Sequence, residues 1–270
     1  MLFIIYLAYY NLLLMTPRFF IQSKEINWQE KKASLSSPDQ LHKISRVLRL
    51  RADDQIVLLD GSGIAYNAQI ISFLPRAVQC RLLSRRALNT EPDLKITIAQ
   101  ALLKGPKFDY SLQKNTEIGA CEFIPLITER TVVKPEENET GNDSDNRIVR
   151  YQRIVRDAAE QSERGIVPKV NNCHSIDELC KQNLTSYGLK LACIERSQTN
   201  SIKEVLNSVQ DKVQKVLIVI GPEGGLSDSE SKLLISNGFT TVTLGKRIYR
   251  AETVGTVISS ILFFYFNELK

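Results

Sequence analysis

Apolar and polar positions change rhythm near Leu94. Before it the apolar runs are short: Arg18–Ile21, Ile56–Leu59, Ala65–Ile71 and Val78–Leu83. Runs of this length bounded by turn residues predict strands. Asp60-Gly61-Ser62-Gly63 joins the second run to the third. Glycine accepts the positive φ of a tight turn, so these two runs are expected to form a hairpin. One helical insert interrupts the strands. Ser36-Ser37-Pro38-Asp39 precedes His42–Leu50, where Ile44, Val47 and Leu48 mark one face and Arg46, Arg49 and Arg51 decorate the rest. This third reads as a small β-barrel, with a linker over Arg85–Asp93.

From Leu94 onward strands and helices alternate. Strands are predicted at Lys95–Ala99, Phe123–Ile127, Leu189–Ile194, Val216–Ile220 and Thr241–Leu244. Between them Phe108, Leu112 and Ile118 give a helical stripe, stopped by Gly119 in the position where a left-handed residue ends a helix. Further helices are expected over Arg147–Glu163, Ile176–Gln182, Ile202–Val209, Ser229–Asn237 and Thr253–Phe266. Pro135–Asn146 has no apolar residue and predicts a mobile surface loop. Alternation of this kind implies a mostly parallel sheet covered on both faces.

Charge refines this division. Residues 16–94 hold 12 Lys and Arg against 8 Asp and Glu, and residues 95–270 hold 23 against 22. The basic excess therefore sits in the N-terminal third, where an acidic partner such as RNA would be drawn; solvated charge with no partner fits as well. Five scattered cysteines without a CxxC pair suit reduced thiols in a cytoplasmic protein. Two histidines leave little material for a metal site, and no metal is expected. Residues 1–15 (MLFIIYLAYYNLLLM) are apolar but short for a membrane helix and lack a basic leader region. Met15 is the expected start, with the upstream stretch an extension of the reading frame and no membrane association.

Two segments after strands carry chemistry. Val219–Glu230 (VIGPEGGLSDSE) offers three glycines for close backbone approach to a ligand, and Ser227 with Glu230 has capping-box spacing. It reads as a small-molecule loop at a strand C-terminus, or simply as a tight strand-to-helix connection. Leu244–Val254 (LGKRIYRAETV) places a glycine, cations and a carboxylate ahead of a helix that Thr253 is expected to cap. Such a polar loop between apolar elements is a natural carrier of binding groups, though solvated charge is the plainer reading.

Taken together, GPEGGLSDSE and LGKRIYRAET resemble the signature loops of the RsmE family, bacterial 16S ribosomal RNA uridine-N3 methyltransferases. PRFF (17–20), HKISRVLRL (42–50), ALLKGPKFDYSLQKNTEIGA (101–120), TERTVVK (128–134) and AAEQSERGIVP (158–168) extend the similarity, in order, over residues 17–266. Tyr249, Val254 and Asn115 depart from the family's usual Leu, Ala and Ala. The resemblance implies an α/β fold: a PUA-like β-barrel over residues 16–88, then a SPOUT-type α/β domain over 89–270 with a deep trefoil knot, acting as a homodimer. It implies S-adenosyl-L-methionine as cofactor and 16S ribosomal RNA or the small ribosomal subunit as partner. By carry-over the cofactor contacts are Leu191, Ile220, Gly221, Pro222, Glu223, Gly224, Gly225, Leu244, Gly245, Ile248, Tyr249, Arg250 and Thr253, with Ala192–Glu195 forming a third wall.

A uridine N3 must lose its proton before it can attack a methyl group, so the site needs a proton acceptor and donors for the anionic base. Arg250 is expected to stabilise that charge and Glu252 to take the proton; a rigidifying Arg250–Glu252 ion pair is the alternative. Glu223 suits capping or a cofactor hydrogen bond better than base catalysis. Candidate RNA contacts are Arg18, Arg46, Arg49, Arg51, Lys104, Lys114 and Arg164. His42 suits a packed or capping role better than that of a base, and Trp28 and the cysteines carry no functional signal. Rival readings are a different SPOUT enzyme, such as a ribose 2′-O-methyltransferase, and a non-catalytic RNA-binding assembly factor.

Overall fold

A computed structural model of the chain describes residues 16–133, 141–194, 200–209 and 213–269, with the side chains of 141–145 left aside. The apolar stretch 1–15, residues 135–140 of the predicted loop, and Glu195 lie outside these residues. The described chain separates into two compact units. One contains residues up to Glu91 together with Ala159–Val167, and the other Pro92–Ala158 with Pro168–Lys270.

The first unit is a six-stranded sheet: β1 (Arg18–Phe20), β2 (Ile26–Asn27), β3 (Lys32–Leu35), β4 (Gln55–Leu59), β5 (Ile64–Leu74) and β6 (Ala77–Ala87). Its hydrogen-bonded order is β1-β4-β5-β6-β3-β2. The β4–β5 hairpin forms as expected, with Leu59 opposite Ala65 and left-handed Gly61 and Gly63 in the turn. Phe19, Leu35, Ile44, Ile56, Leu58 and Ile70 make its apolar core. The helical insert differs from expectation. A short α1 (Pro38–His42) runs into one π-helical turn at Lys43–Val47. That wider turn rotates the apolar stripe: Ile44 is buried, whereas Val47 is 63% exposed and Leu48 is exposed too. β6 also runs on to Ala87, which shortens the predicted linker.

The stretch Ala159–Val167 is fastened within this unit by polar groups. Glu160 is buried and accepts from the Phe20 amide (3.0 Å) and from Lys43 Nζ (2.7 Å). Arg164 pairs with Glu91, which also accepts from the Gly165 amide at 3.1 Å. Ala159 packs with Phe20, Val57, Leu59 and Ala65.

The second unit comprises β7 (Lys95–Ala101), α2 (Lys107–Ile118), β8 (Glu122–Ile127), α3 (Gly141–Gln161, whose last residues belong to the first unit), β9 (Lys169–Val170), β10 (His174–Ser175), α4 (Ile176–Lys181), β11 (Leu189–Cys193), β12 (Asn200–Ser201), α5 (Ile202–Ser208), β13 (Lys215–Ile220), α6 (Asp228–Ser236), β14 (Thr240–Thr243) and α7 (Ala251–Tyr265). Helix α3 begins six residues before the predicted Arg147, inside the stretch expected to be a loop. The strands run in the order β10-β8-β7-β13-β11-β14-β12, with β9 beside β8, and every pairing is parallel. Central strands β7 and β13 are almost wholly buried, the pattern of a sheet covered on both faces. Gly119 ends α2 at φ +119°, and a Cβ there would come within 2.9 Å of Pro92 Cγ. Helices α2 and α7 pack closely: a Cβ on Gly255 would lie 2.7 Å from Asn115 Nδ2. The unusual Asn115 is fully buried there and donates to Ser111 O at 2.8 Å. No helix among the described residues is long and apolar enough to cross a membrane.

Candidate active site

Because β11, β13 and β14 are neighbouring parallel strands, their C-terminal loops emerge at one edge of the sheet. They enclose a cleft of about 820 Å³. Its walls are Cys193 and Ile194 at the end of β11, Ile220–Leu226 from the end of β13 onward, and Val242–Glu252 with Val254 from the end of β14 into α7, while Lys107 and Arg130 reach it from elsewhere in the unit. Both segments singled out in the sequence therefore face the same space. Ile194, Ile220, Leu226, Val242, Leu244 and Ile248 give it apolar walls.

The first loop leaves β13 at Gly221, whose carbonyl accepts from buried Gln100 Nε2 at 3.3 Å. A turn follows, closed by the Gly225 amide on Pro222 O (2.9 Å), with Gly225 left-handed at φ +70°. Helix α6 then starts in the predicted capping box: Ser227 Oγ accepts from the Glu230 amide, and Glu230 Oε2 accepts from the Ser227 amide. Glu223 accepts from Lys107 Nζ (3.0 Å) and from the Lys104 amide (3.3 Å). Burial draws its carboxyl upward, but hydrogen bonds from its own amide, Lys107 and Lys104 outweigh that and hold it below the ordinary glutamate value.

The second loop turns at Gly245, φ +110°, and enters α7 through Arg250, the N-cap residue. Arg250 is exposed at the cleft, whereas Glu252 is 9% exposed and its Oε2 has no hydrogen-bond partner among the described residues. Neither residue takes part in an ion pair among the described residues, so the alternative of a rigidifying Arg250–Glu252 pair is not what this loop contains. Half-buried Cys193 is a neutral part of the wall, because burial pushes its thiol up to about 12.

Two expected cofactor contacts do not reach the cleft. Leu191 is buried in the middle of β11, and the wall begins two residues later at Cys193. Thr253 lies in the first turn of α7, its amide donating to Arg250 O (2.8 Å), so Arg250 rather than Thr253 caps that helix. Lys107 and Arg130 were not singled out, although both lie in stretches that carried the resemblance. Of the expected RNA contacts, Arg46, Arg49, Arg51 and Lys104 are exposed. Lys114 is partly buried and paired with Glu117 at 2.8 Å. Arg18 and Arg164 are corrections: their side chains are 8% and 4% exposed, and they pair with Glu163 and Glu91. Both ion pairs lie within the first unit.

Comparison with known proteins is consistent along the chain. An RNA methyltransferase domain family matches residues 90–263, and an RNA methyltransferase PUA domain family matches residues 39–83. The chain is 38% identical over 218 residues to ribosomal RNA small subunit methyltransferase E of Synechocystis sp., covering 81% of this chain and 68% of that one. It is 31% identical to the protein of that name from Bacillus subtilis, covering 87% and 91%. A crystal structure of a ribosomal RNA small subunit methyltransferase E from Neisseria gonorrhoeae bound to S-adenosyl methionine superposes with a TM-score of 0.77 at 28% identity, covering 92% and 97%.

Proposed function

Since the chain belongs to the ribosomal RNA small subunit methyltransferase E family, we propose that it transfers a methyl group from S-adenosylmethionine to N3 of a uridine in small-subunit ribosomal RNA. The observation that carries this reading is the meeting of the Gly221–Gly225 and Leu244–Arg250 loops around one cleft, with Glu252 in its wall. The apolar walls suit an adenine ring, the glycine turn allows close approach of a ribose or sulfonium chain, and the cleft volume is that of a small-molecule site. When bound, the donor supplies an electrophilic methyl group and leaves as a neutral thioether.

The chain's own groups do the rest. N3 of uridine is accessible only in an unpaired base, so the target is a splayed or single-stranded nucleotide. Glu252 accepts the N3 proton: it lines the cleft in the first turn of α7, whereas Glu223 is occupied by two donors that hold its carboxyl below the ordinary glutamate value. Arg250, at the positive end of α7, stabilises the anionic ring and its carbonyl oxygens. The amides of the first turn of α7 add to the same field.

RNA is seated by the exposed Arg46, Arg49 and Arg51, with Lys104 as a further contact. Replacing the three arginines with glutamine should flatten the slope of log Kd against log salt by about 2, at about 0.7 per phosphate contact on single-stranded RNA. Filter binding between low and physiological salt measures this, and an unchanged slope removes these residues from the interface.

Two finer features belong to this reading. A SPOUT-type trefoil knot is supported by the strand order: β14 lies beyond β11, yet the chain then returns for α7 to pack on α2 and β13. A homodimer is supported by the family resemblance and by exposed Phe264 at the end of α7. The reaction itself is tested by mass mapping of small-subunit RNA from cells lacking the gene. One N3-methyluridine should disappear and return on complementation. A missing 2′-O-methyl group would favour the ribose-methylating alternative, and unchanged RNA with no donor binding would favour an assembly factor.

A further inference from the structure

We infer that Arg130 is a positioning residue for the donor site, holding the glycine turn in its receiving shape from outside the loop. This rests on the donor-binding reading of the cleft. Arg130 lies in the segment Thr128-Glu129-Arg130-Thr131, far in sequence from either cleft loop. The segment is itself rigid: the Thr128 amide donates to Thr131 Oγ1 (2.9 Å), and the two threonine hydroxyls share a hydrogen bond of 2.8 Å. One guanidinium nitrogen of Arg130 donates to the carbonyls of both Gly224 (3.0 Å) and Leu226 (3.2 Å).

Those two bonds act on peptide planes. A peptide is planar, so fixing a carbonyl also fixes the amide on its other side. In the 224–225 peptide the oxygen is held by Arg130 and the Gly225 N–H by Pro222 O. In the 226–227 peptide the oxygen is held by Arg130 and the Ser227 N–H by Glu230 Oε2. The second oxygen of Glu230 accepts from the Glu129 amide (2.9 Å), and Glu129 accepts from Ser229 Oγ (3.2 Å). The segment thus grips both the glycine turn and the start of α6. The aliphatic stem of Arg130 also lies against Gly224, where an added Cβ would sit 3.4 Å from Arg130 Cβ. Glycine-rich turns have many accessible conformations, and an external clamp that selects one lowers the ordering cost of binding.

The test compares Arg130→Ala and Arg130→Lys with the wild-type protein by calorimetric titration of S-adenosylhomocysteine and of 5′-methylthioadenosine, which lacks the amino acid end. A positioning role weakens both ligands by the same factor, at least tenfold for alanine and less for lysine, which keeps a donor. In the ligand-free protein, amide hydrogen exchange should speed up at residues 224–227 and stay unchanged in β13. Loss confined to S-adenosylhomocysteine would mean that Arg130 touches the ligand's carboxylate, and affinities within twofold of wild type would mean that the clamp does not matter; either overturns the inference. Faster exchange throughout the unit would assign Arg130 to stability alone and also overturn it. If Arg130→Ala does not fold, Arg130→Gln, which keeps the stem and one donor, takes its place in each comparison. A wild-type protein that binds neither ligand sinks the donor-site reading itself.

Discussion

Replacing Arg250 by alanine should lower the methyl-transfer rate by about 10²- to 10³-fold, the usual effect of removing one preorganised donor from a developing anion. The affinity for S-adenosylhomocysteine should stay within a few-fold, because Arg250 is exposed at the cleft and forms no ion pair among the described residues whose loss would disturb the loop. The start of α7 should survive as well: Arg250 caps it with backbone alone, its carbonyl accepting from the Thr253 amide, and alanine keeps that carbonyl. Single-turnover kinetics with saturating donor separates the chemical step from binding. Arg250→Lys retains a positive charge without the planar fork and should fall between the two. Turnover within a few-fold of wild type in the alanine variant would return Arg250 to a solvated surface charge.

The largest binding defect is expected from Gly221→Ala. A Cβ at this position would stand 3.0 Å from both Gly225 C and Leu226 N, backbone atoms of the turn that lines the cleft. Backbone cannot swing aside as a side-chain tip can, so the turn must shift by a few tenths of an ångström. Overpacking of this kind costs about 1–3 kcal/mol. If it falls on the turn, donor affinity drops by about 5- to 150-fold. The Tm should fall only modestly, since β13 is anchored by parallel pairing on both sides. By contrast Gly224→Ala meets only the stem of Arg130, at ordinary contact distance, and should bind donor far better. Equal affinities for the two variants would refute the steric account.

Much of this architecture could be read from the sequence because local signals agreed with the fold. The capping box at Ser227 and Glu230, the left-handed stop at Gly119 and the Asp60–Gly63 hairpin each depend on a few adjacent residues, and each formed as expected. The two cleft loops were legible for a related reason: parallel strands deliver their C-terminal loops to one edge. What could not be read depends on distant partners. Arg18 and Arg164 look like surface cations until Glu163 and Glu91 are brought to them. The π-helical turn at Lys43–Val47 moves Val47 outward, which a 3.6-residue stripe cannot anticipate. Arg130 lies in the TERTVVK stretch that carries the resemblance, but its contact with the glycine loop appears only when that loop arrives from about ninety residues away.

The first unit is not one continuous piece of chain. A fragment ending at Glu91 would carry the strands but lose Glu160, leaving the Phe20 amide and Lys43 without their carboxylate, and would lose Ala159 from the cluster around Phe20, Val57 and Leu59. Glu91 would likewise be stripped of Arg164 and the Gly165 amide. During synthesis these strands therefore have to wait until some seventy further residues have emerged before their last layer can close. Completion of the N-terminal unit is in this way tied to translation of the other one, and any attempt to graft it elsewhere must carry the later segment along.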